Sequence, residues 1–333
     1  PRCWRFFRFP MPQPTTGRAG WHMAPKKGSF IILGSLLLTG LPFFFLGGPG
    51  YQSGRSFQGA WDLGHILFFA LLGTLLIGLC KRRTTVVGTG RTFALVFALV
   101  FAVGLVVELL QMQSGGRTPD VADLVRNQLG CLLAFALFAP SGWRWTRPLR
   151  LGVAGLLVLA LWPLSRALID ETLAARQFPV LADFETPFET WRWVHQSQLR
   201  TQSGIVRHGE RAARVQLTTA RYSGVSLFHF PGDWRGYRWL RFSVYNPREE
   251  PLELNCRIHD ARHREHRNEF HDRFNQQFRL QQGWNDLVVD LDRVRTAPRG
   301  RSMDLGRIEG FGLFVVQQPR PLTIVLDHVV LSE

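Results

Sequence analysis

Cysteine is scarce in this chain: there are four in 333 residues, and only Cys256 lies in the C-terminal half. An internal disulfide framework is therefore excluded there, so that half depends on core packing, and Cys256 reads as a lone buried thiol. Lysine is scarcer still, three against 37 arginines. The formal charge of +15 comes from arginines scattered through both halves, with no aromatic–basic stripe, and nucleic acid is set aside as a partner. The first apolar run, residues 28–46, is followed by no small-residue cleavage motif, so it reads as a retained helix and not as a signal peptide. Residues 1–22 read as irregular Arg-, Phe- and Pro-containing sequence, and Met23-Ala-Pro-Lys-Lys reads as the natural start.

What is abundant up to about residue 170 is Leu, Phe, Ala, Gly and Val. A membrane-spanning helix needs roughly 20 mostly apolar residues. Five stretches qualify, at 28–46, 62–80, 92–112, 120–140 and 150–169. The basic clusters Lys26–Lys27, Lys81–Arg83 with Arg91, and Arg144, Arg147 and Arg150 all fall on one side of these spans. By the positive-inside rule the N-terminus is cytoplasmic and the C-terminal half is exported. The expected organisation is a cytoplasmic tail at 1–27, a transmembrane domain at 28–170, a linker at 171–179 and an exported domain at 180–333. The fold class is multidomain: an all-α five-helix transmembrane bundle followed by an all-β jelly-roll sandwich.

Ionisable and amide side chains gather at the outer end of three adjacent spans. Asp62 and His65 open the second, Glu108 and Gln111 close the third, and Arg117 sits in the loop before the fourth, which opens with Asp120, Asp123 and Asn127. At spacings of three and four residues each set occupies one helical face. Charge inside a bilayer is costly and marks function by default. Four carboxylates facing Arg117 and His65 do not all ionise in a low dielectric, so protons are shared or a divalent cation enters. This is an environment for acid–base work by His65 and a carboxylate, with Arg117 holding an anionic group and Gln111 and Asn127 orienting. The competing account is structural: Asp62 and Asp120 as N-caps, Arg117 paired with an Asp, and the amides as interhelical contacts.

The series Asp62-Leu-Gly-His65, Glu108-Leu-Leu-Gln111 and Gly116-Arg117-Thr-Pro-Asp120-Val-Ala-Asp123-Leu-Val-Arg-Asn127-Gln-Leu-Gly130 resembles the VanZ-like membrane proteins over roughly residues 28–140. The resemblance implies a cell-envelope protein and an association with teicoplanin resistance. Family members often keep a Lys or similar residue between the Asp and His of the second span. Here Leu63 and Gly64 stand there, so any role for that cation is lost.

From about Val180 the chain reads as short alternating strands separated by turn residues, at 213–217, 225–230, 240–245, 252–258, 277–280, 286–291, 310–316 and 322–331, the pattern of a β-sandwich. The phrases Leu181-Ala-Asp-Phe-Glu185, Asp233-Trp-Arg-Gly-Tyr237, Leu240-Arg-Phe-Ser-Val-Tyr-Asn-Pro247, Gly283-Trp-Asn285 and Leu326-Asp-His-Val-Val-Leu331 resemble a galactose-binding-like jelly roll. They are similar to family 11 carbohydrate-binding modules and to complex-I intermediate-associated proteins, which implies glycan binding without catalysis. His259, Asp260, Phe270, Asp272, Arg273 and Gln317 are the expected ligand-binding residues, combining an aromatic with planar polar groups. Asp272 and Arg273 as an ion pair, and Phe270 as core, is the plainer alternative. The run His259, His263, His266, His271 reads as a solvated segment in an Arg-rich loop and not as a metal site. Asp183, Glu185 and Asp327 could flank a structural calcium. The partners expected are a lipid bilayer and an envelope glycan or lipid-linked saccharide at a bacterial inner membrane. The activity is hydrolase- or transferase-like, a non-catalytic glycan-binding factor being the alternative and a solute or proton transporter a third.

Overall fold

The computed structural model describes residues 27–45, 48–50, 53–83, 88–113, 120–195 and 198–333. Most of the expected tail, including Met23, and Arg117 lie outside the described residues. The chain divides into two compact units, one comprising Pro1–Gly48 and Trp61–Ala160, the other Pro49–Ala60 and Leu161–Glu333.

The first unit is helical. Helix α1 spans Lys27–Gly40 and runs into a single 3-10 turn at Leu41–Phe44, where Pro42 tightens the chain. Helices α2 (Arg55–Arg83), α3 (Thr89–Gln113), α4 (Val121–Phe138) and α5 (Thr146–Gln177) follow. Their runs of Leu, Ala and Phe favour helix, and α4 starts where the Asp120 carboxylate accepts the Ala122 N–H at 2.8 Å. Helices α2 to α5 are long and apolar enough to cross a membrane, while α1 with its 3-10 turn is shorter. Ile31, Leu67, Val125, Leu151 and Leu159 each expose more than half of their surface. Apolar exposure on that scale suits lipid and not water. Between helices the packing is close. A Cβ on Gly130 of α4 would strike the Ile66 carbonyl of α2, and one on Gly73 of α2 would come 3.1 Å from Ala134. Phe69, Phe135, Val96, Val100, Cys131 and Ala134 fill the interior around these crossings.

The second unit is an antiparallel sandwich of eleven strands, β1 Val180–Ala182, β2 Trp193–His195, β3 Gln198–Gln202, β4 Ala212–Leu217, β5 Tyr222–Leu227, β6 Trp239–Asn246, β7 Leu252–Asp260, β8 Phe274–Leu280, β9 Gly283–Asp290, β10 Ile308–Val316 and β11 Leu322–Ser332. One sheet has the order β3-β4-β11-β6-β9, with β1 added on β11; the other has β2-β5-β10-β7-β8. The chain changes sheet at most connections from β4 onward, which is the jelly-roll arrangement. Alternation drives it: in β7 Leu252, Leu254, Cys256 and Ile258 face inward, and Glu253, Asn255 and Arg257 face out. Trp234, Phe242, Phe311, Val215 and Leu326 complete the core. Cys256 is the buried thiol expected, its pKa pushed up by burial.

Of the expected linker at 171–179, helix α5 takes every residue up to Gln177. Asp170 on this end of the helix is fully buried and is held by Arg192 Nη2 at 2.9 Å and by Arg55, while Arg192 Nη1 also donates to the Leu181 carbonyl at 3.2 Å. Glu171 accepts the Ser56 N–H at 3.0 Å, and the Arg166 guanidinium lies 3.5 Å over the Trp191 ring.

Candidate functional site

The polar residues of α2, α3 and α4 meet within the helical unit. His65, Glu108, Gln111 and Asn127 are all buried. His65 Nδ1 is 3.1 Å from Asn127 Oδ1, and its Nε2 is 3.6 Å from Asp123 Oδ2. The Phe44 ring packs edge-on against the imidazole at 4.8 Å between centroids. Glu108 Oε2 accepts the Asp120 N–H at 3.2 Å, tying α3 to the start of α4. Gln111 donates to the Phe44 carbonyl at 2.7 Å. Gly104 makes room for Asn127, whose Nδ2 lies 2.8 Å from where a Cβ would stand. Asn127 Nδ2 and Glu108 Oε1 are buried without a hydrogen-bond partner among the described residues.

Among the described residues, the cation that bridges the carboxylates at the mouth of this cluster is Arg126, a residue absent from the sequence-based set. Its Nη2 lies 2.8 Å from Asp62 Oδ2 on α2, and its Nη1 lies 2.5 Å from Asp123 Oδ1 and 3.7 Å from Asp120 Oδ2 on its own helix. Three positions after Asp123, Arg126 falls on its face of the helix, a signal present in the spacing, and its long side chain reaches back to the N-cap Asp120. Arg126 balances charge among these aspartates, and Arg117, given that part on sequence grounds, lies outside the described residues. The arrangement sets an imidazole with one nitrogen fixed by an amide beside a carboxylate at the other, the geometry of an acid–base pair. Among the described residues no three His, Cys, Asp or Glu side chains are grouped to hold a metal ion.

The sandwich carries an open groove of about 650 Å³ on the outer face of its second sheet. Cross-strand register builds it. Ser226, Gly312 and Arg257 stand in one row across β5, β10 and β7, and Gly224, Phe314 and Asn255 in the next. Gly312 lets Arg257 lie flat: a Cβ there would come 2.7 Å from Arg257 Nε, and Arg257 Nη2 reaches Ser226 Oγ at 3.1 Å. Phe270 and Arg273, from the β7–β8 connection, form one wall, with Tyr222, Phe228, Val194 and Val316 also lining the space. Phe270 is exposed, and the Arg273 guanidinium sits 5.3 Å from its ring.

Of the expected ligand-binding residues, Phe270 and Arg273 line this groove and the others do not. His259 is buried between Phe228 and His263, and burial, reinforced by nearby positive charge, pushes its pKa down to about 3. Asp260 and Asp272 are both taken by Arg301, at 2.7 and 2.9 Å for Asp260 and 2.6 and 2.7 Å for Asp272. The alternative pairing of Asp272 with Arg273 is therefore replaced by Asp272 with Arg301. Gln317 sits in the turn after β10 at φ +49°, its N–H given to the Arg221 carbonyl. Asn255, Arg257, Tyr222 and Phe314 were missed, although the alternation of β7 places Asn255 and Arg257 on the open face.

The three acidic residues considered for calcium serve the chain itself. Asp183 Oδ1 accepts the Glu185 N–H, Glu185 Oε1 accepts the N–H groups of Glu210 and Arg211, and Asp327 Oδ2 accepts those of Arg207 and His208. His263 of the histidine run is buried on Asp272 at 3.1 Å, and His266 and His271 are exposed.

Solved structures with similarity to the chain include a family 11 carbohydrate-binding module from Clostridium thermocellum in complex with a beta-1,3-1,4-mixed-linked tetrasaccharide. It is 16% identical with a TM-score of 0.36, covering 46% of this chain and 94% of that one. The family 11 module of the Clostridium thermocellum cellulase Lic26A-Cel5E is 17% identical with a TM-score of 0.35, covering 46% and 92%. An exo-beta-agarase is 13% identical with a TM-score of 0.36, covering 46% of this chain and 25% of its own. The sandwich stands on its own strand pairing and core, not on these likenesses. No curated protein matches the chain. Residues 9–143, which include the helices bearing Asp62, His65, Glu108, Asp120, Asp123, Arg126 and Asn127, match the VanZ/LLP1 family, and the chain carries a VanZ-like domain there.

Proposed function

We propose that this chain is a multi-pass cell-envelope protein of the bacterial inner membrane that acts at the outer face of that membrane, holding glycan in the groove of an exported sandwich. In this reading the N-terminus is cytoplasmic, residues 28–170 form the membrane domain and residues 180–333 the exported domain. The positive-inside distribution of Lys26, Lys27, Lys81, Arg82, Arg83, Arg91, Arg144, Arg147 and Arg150 supports that orientation. The observation that carries the glycan reading is the groove itself: an exposed aromatic, Phe270, beside Asn255, Arg257 and Arg273, over a floor kept low by Gly224 and Gly312. Sugars are held by aromatic faces together with a few fixed planar polar groups. The test is binding of the detergent-solubilised full chain to a panel of envelope polysaccharides and lipid-linked saccharides. Retention of the chain by at least one of them is expected, and retention by none overturns the reading.

A second reading concerns the membrane cluster, where His65 and a carboxylate do hydrolase- or transferase-type acid–base work on that glycan or its lipid-linked form. It is favoured by the fixing of His65 between Asn127 and Asp123 and by Glu108 Oε1, buried without a hydrogen-bond partner among the described residues. Glu108→Gln and Asp123→Asn proteins that insert and fold, yet fail to support growth in the presence of teicoplanin where the parent chain does, are the expected result. If the substitutions lower only thermal stability, the cluster is an interhelical brace and the chain a non-catalytic glycan-binding factor.

A further inference from the structure

The groove of the sandwich contains two arginines and no Asp or Glu in its lining. Among the described residues Arg257 and Arg273 make their side-chain hydrogen bonds to neutral groups and no ion pair to a carboxylate, and each is drawn partly out of water. Most other arginines of this unit that leave solvent are neutralised: Arg192 by Asp170, and Arg301 by Asp260 and Asp272. The groove pair is answered only by neutral groups, Ser226 Oγ for Arg257, and Asn275 Oδ1 and the Phe270 ring for Arg273. Their charges also repel one another, and burial together with that repulsion lowers the Arg273 pKa, while burial alone lowers that of Arg257. Holding two like charges half-buried and unpaired is unfavourable unless an anion completes the site. A guanidinium presents a planar fork that matches a carboxylate or phosphate in two hydrogen bonds. Phe270, Tyr222 and Phe314 offer apolar faces alongside, suited to the C–H face of a pyranose ring.

We infer that the ligand of this groove is an anionic saccharide, with its carboxylate or phosphate held between Arg257 and Arg273 and a sugar ring against Phe270. The inference rests on the glycan-binding reading above and narrows it to acidic glycans, whichever acid they carry. Neutral polysaccharide can offer the two guanidiniums hydroxyl acceptors but no charge to balance them.

The test measures affinity of the detergent-solubilised full chain for two matched pairs of probes. One pair is oligogalacturonate and its methyl ester, which share a backbone and differ in charge. The other is a phosphorylated mannan and the same mannan dephosphorylated. Binding of a charged member at least tenfold tighter than its neutral twin is expected, weakening as salt rises. The charged member that binds identifies the acid as carboxylate or phosphate. Arg257→Gln and Arg273→Gln should each remove most of that preference, whereas Arg214→Gln on the other sheet should leave it intact. Equal or tighter binding of the neutral twins would overturn the inference and leave the glycan reading standing. Loss of the preference in Arg214→Gln as well would reduce it to attraction by the overall positive charge, and overturns it too. Absence of binding to all four probes and to the wider polysaccharide panel would remove both.

Discussion

Arg126 Nη2 and Asp62 Oδ2 meet at 2.8 Å although 64 positions separate them, joining α4 to α2 at the mouth of the polar cluster. The same guanidinium holds Asp123, which in turn faces His65. Its removal leaves three aspartates without their shared cation. We expect Arg126→Gln and Asp62→Asn each to lower the unfolding temperature in detergent by a few degrees. The double variant should lose less than the sum, with a coupling of about 0.5–3 kcal/mol as for residues in one network. Strict additivity in that double-mutant cycle would show that the pair does not join the helices.

Arg301 plays the corresponding part in the sandwich. Asp260 is fully buried and Asp272 nearly so, and Arg301 is the cation bonded to both. Deleting it leaves Asp260 with the Asp304 N–H and Asp272 with His263 but neither with an arginine, a loss of about 3–5 kcal/mol for a buried pair broken on one side. Chemical denaturation of Arg301→Ala should show this loss, whereas Arg320→Ala, an exposed position, should stay within about 0.5 kcal/mol of the parent.

Stability should fall on mild acidification. The fold holds His259 neutral, its pKa pushed down to about 3 by burial, and His229 likewise at about 4. In the unfolded chain both titrate near about 6.5, so protonation favours unfolding. The stabilisation is complete above about pH 6.5 and is lost progressively toward pH 3, at up to about 1.4 kcal/mol per pH unit for each histidine. Asp272, held down at about 2 by Arg301, adds its own loss only below about pH 4. Denaturation midpoints across pH 4–7 should therefore slope downward with acid, and His259→Gln should flatten the slope. An unchanged slope in that variant would contradict the assignment.

The strands from β4 to β11 are legible as short apolar-rich runs between Gly, Pro or Asn turns, alternating in β4, β5 and β7 and continuously buried over several residues in β6, β10 and β11. β1 and β2 span three residues each, too few for a period to register, and β3 is little longer. Helix α5 runs past the end that bilayer thickness alone implies, to Gln177. The sequence Asp-Glu-Thr-Leu-Ala-Ala-Arg-Gln at 170–177 is good helix former throughout, and nothing stops it before Phe178-Pro179. In the membrane cluster the acidic residues, His65 and Asn127 follow from local spacing, and Arg126, three positions after Asp123, carries the same signal. In the sandwich the misassignments had a different origin. Asp260 and Asp272 look like open-face ligands until Arg301, 41 and 29 positions away, folds back onto them. Arg257 lies in plain alternation, but its freedom from carboxylates is a property of the fold and not of any local pattern.

Phe270 is the residue through which the central claim is tested most directly. It is 58% exposed, so its removal costs the fold little, and it stands where a sugar ring would stack. The decisive measurement is the affinity of the full chain and its Phe270→Ala form for the polysaccharide that retains the parent. A loss of about tenfold, equal to about 1.4 kcal/mol, with an unchanged unfolding temperature is predicted. Equal affinity of the two forms would contradict the placement of the glycan in this groove.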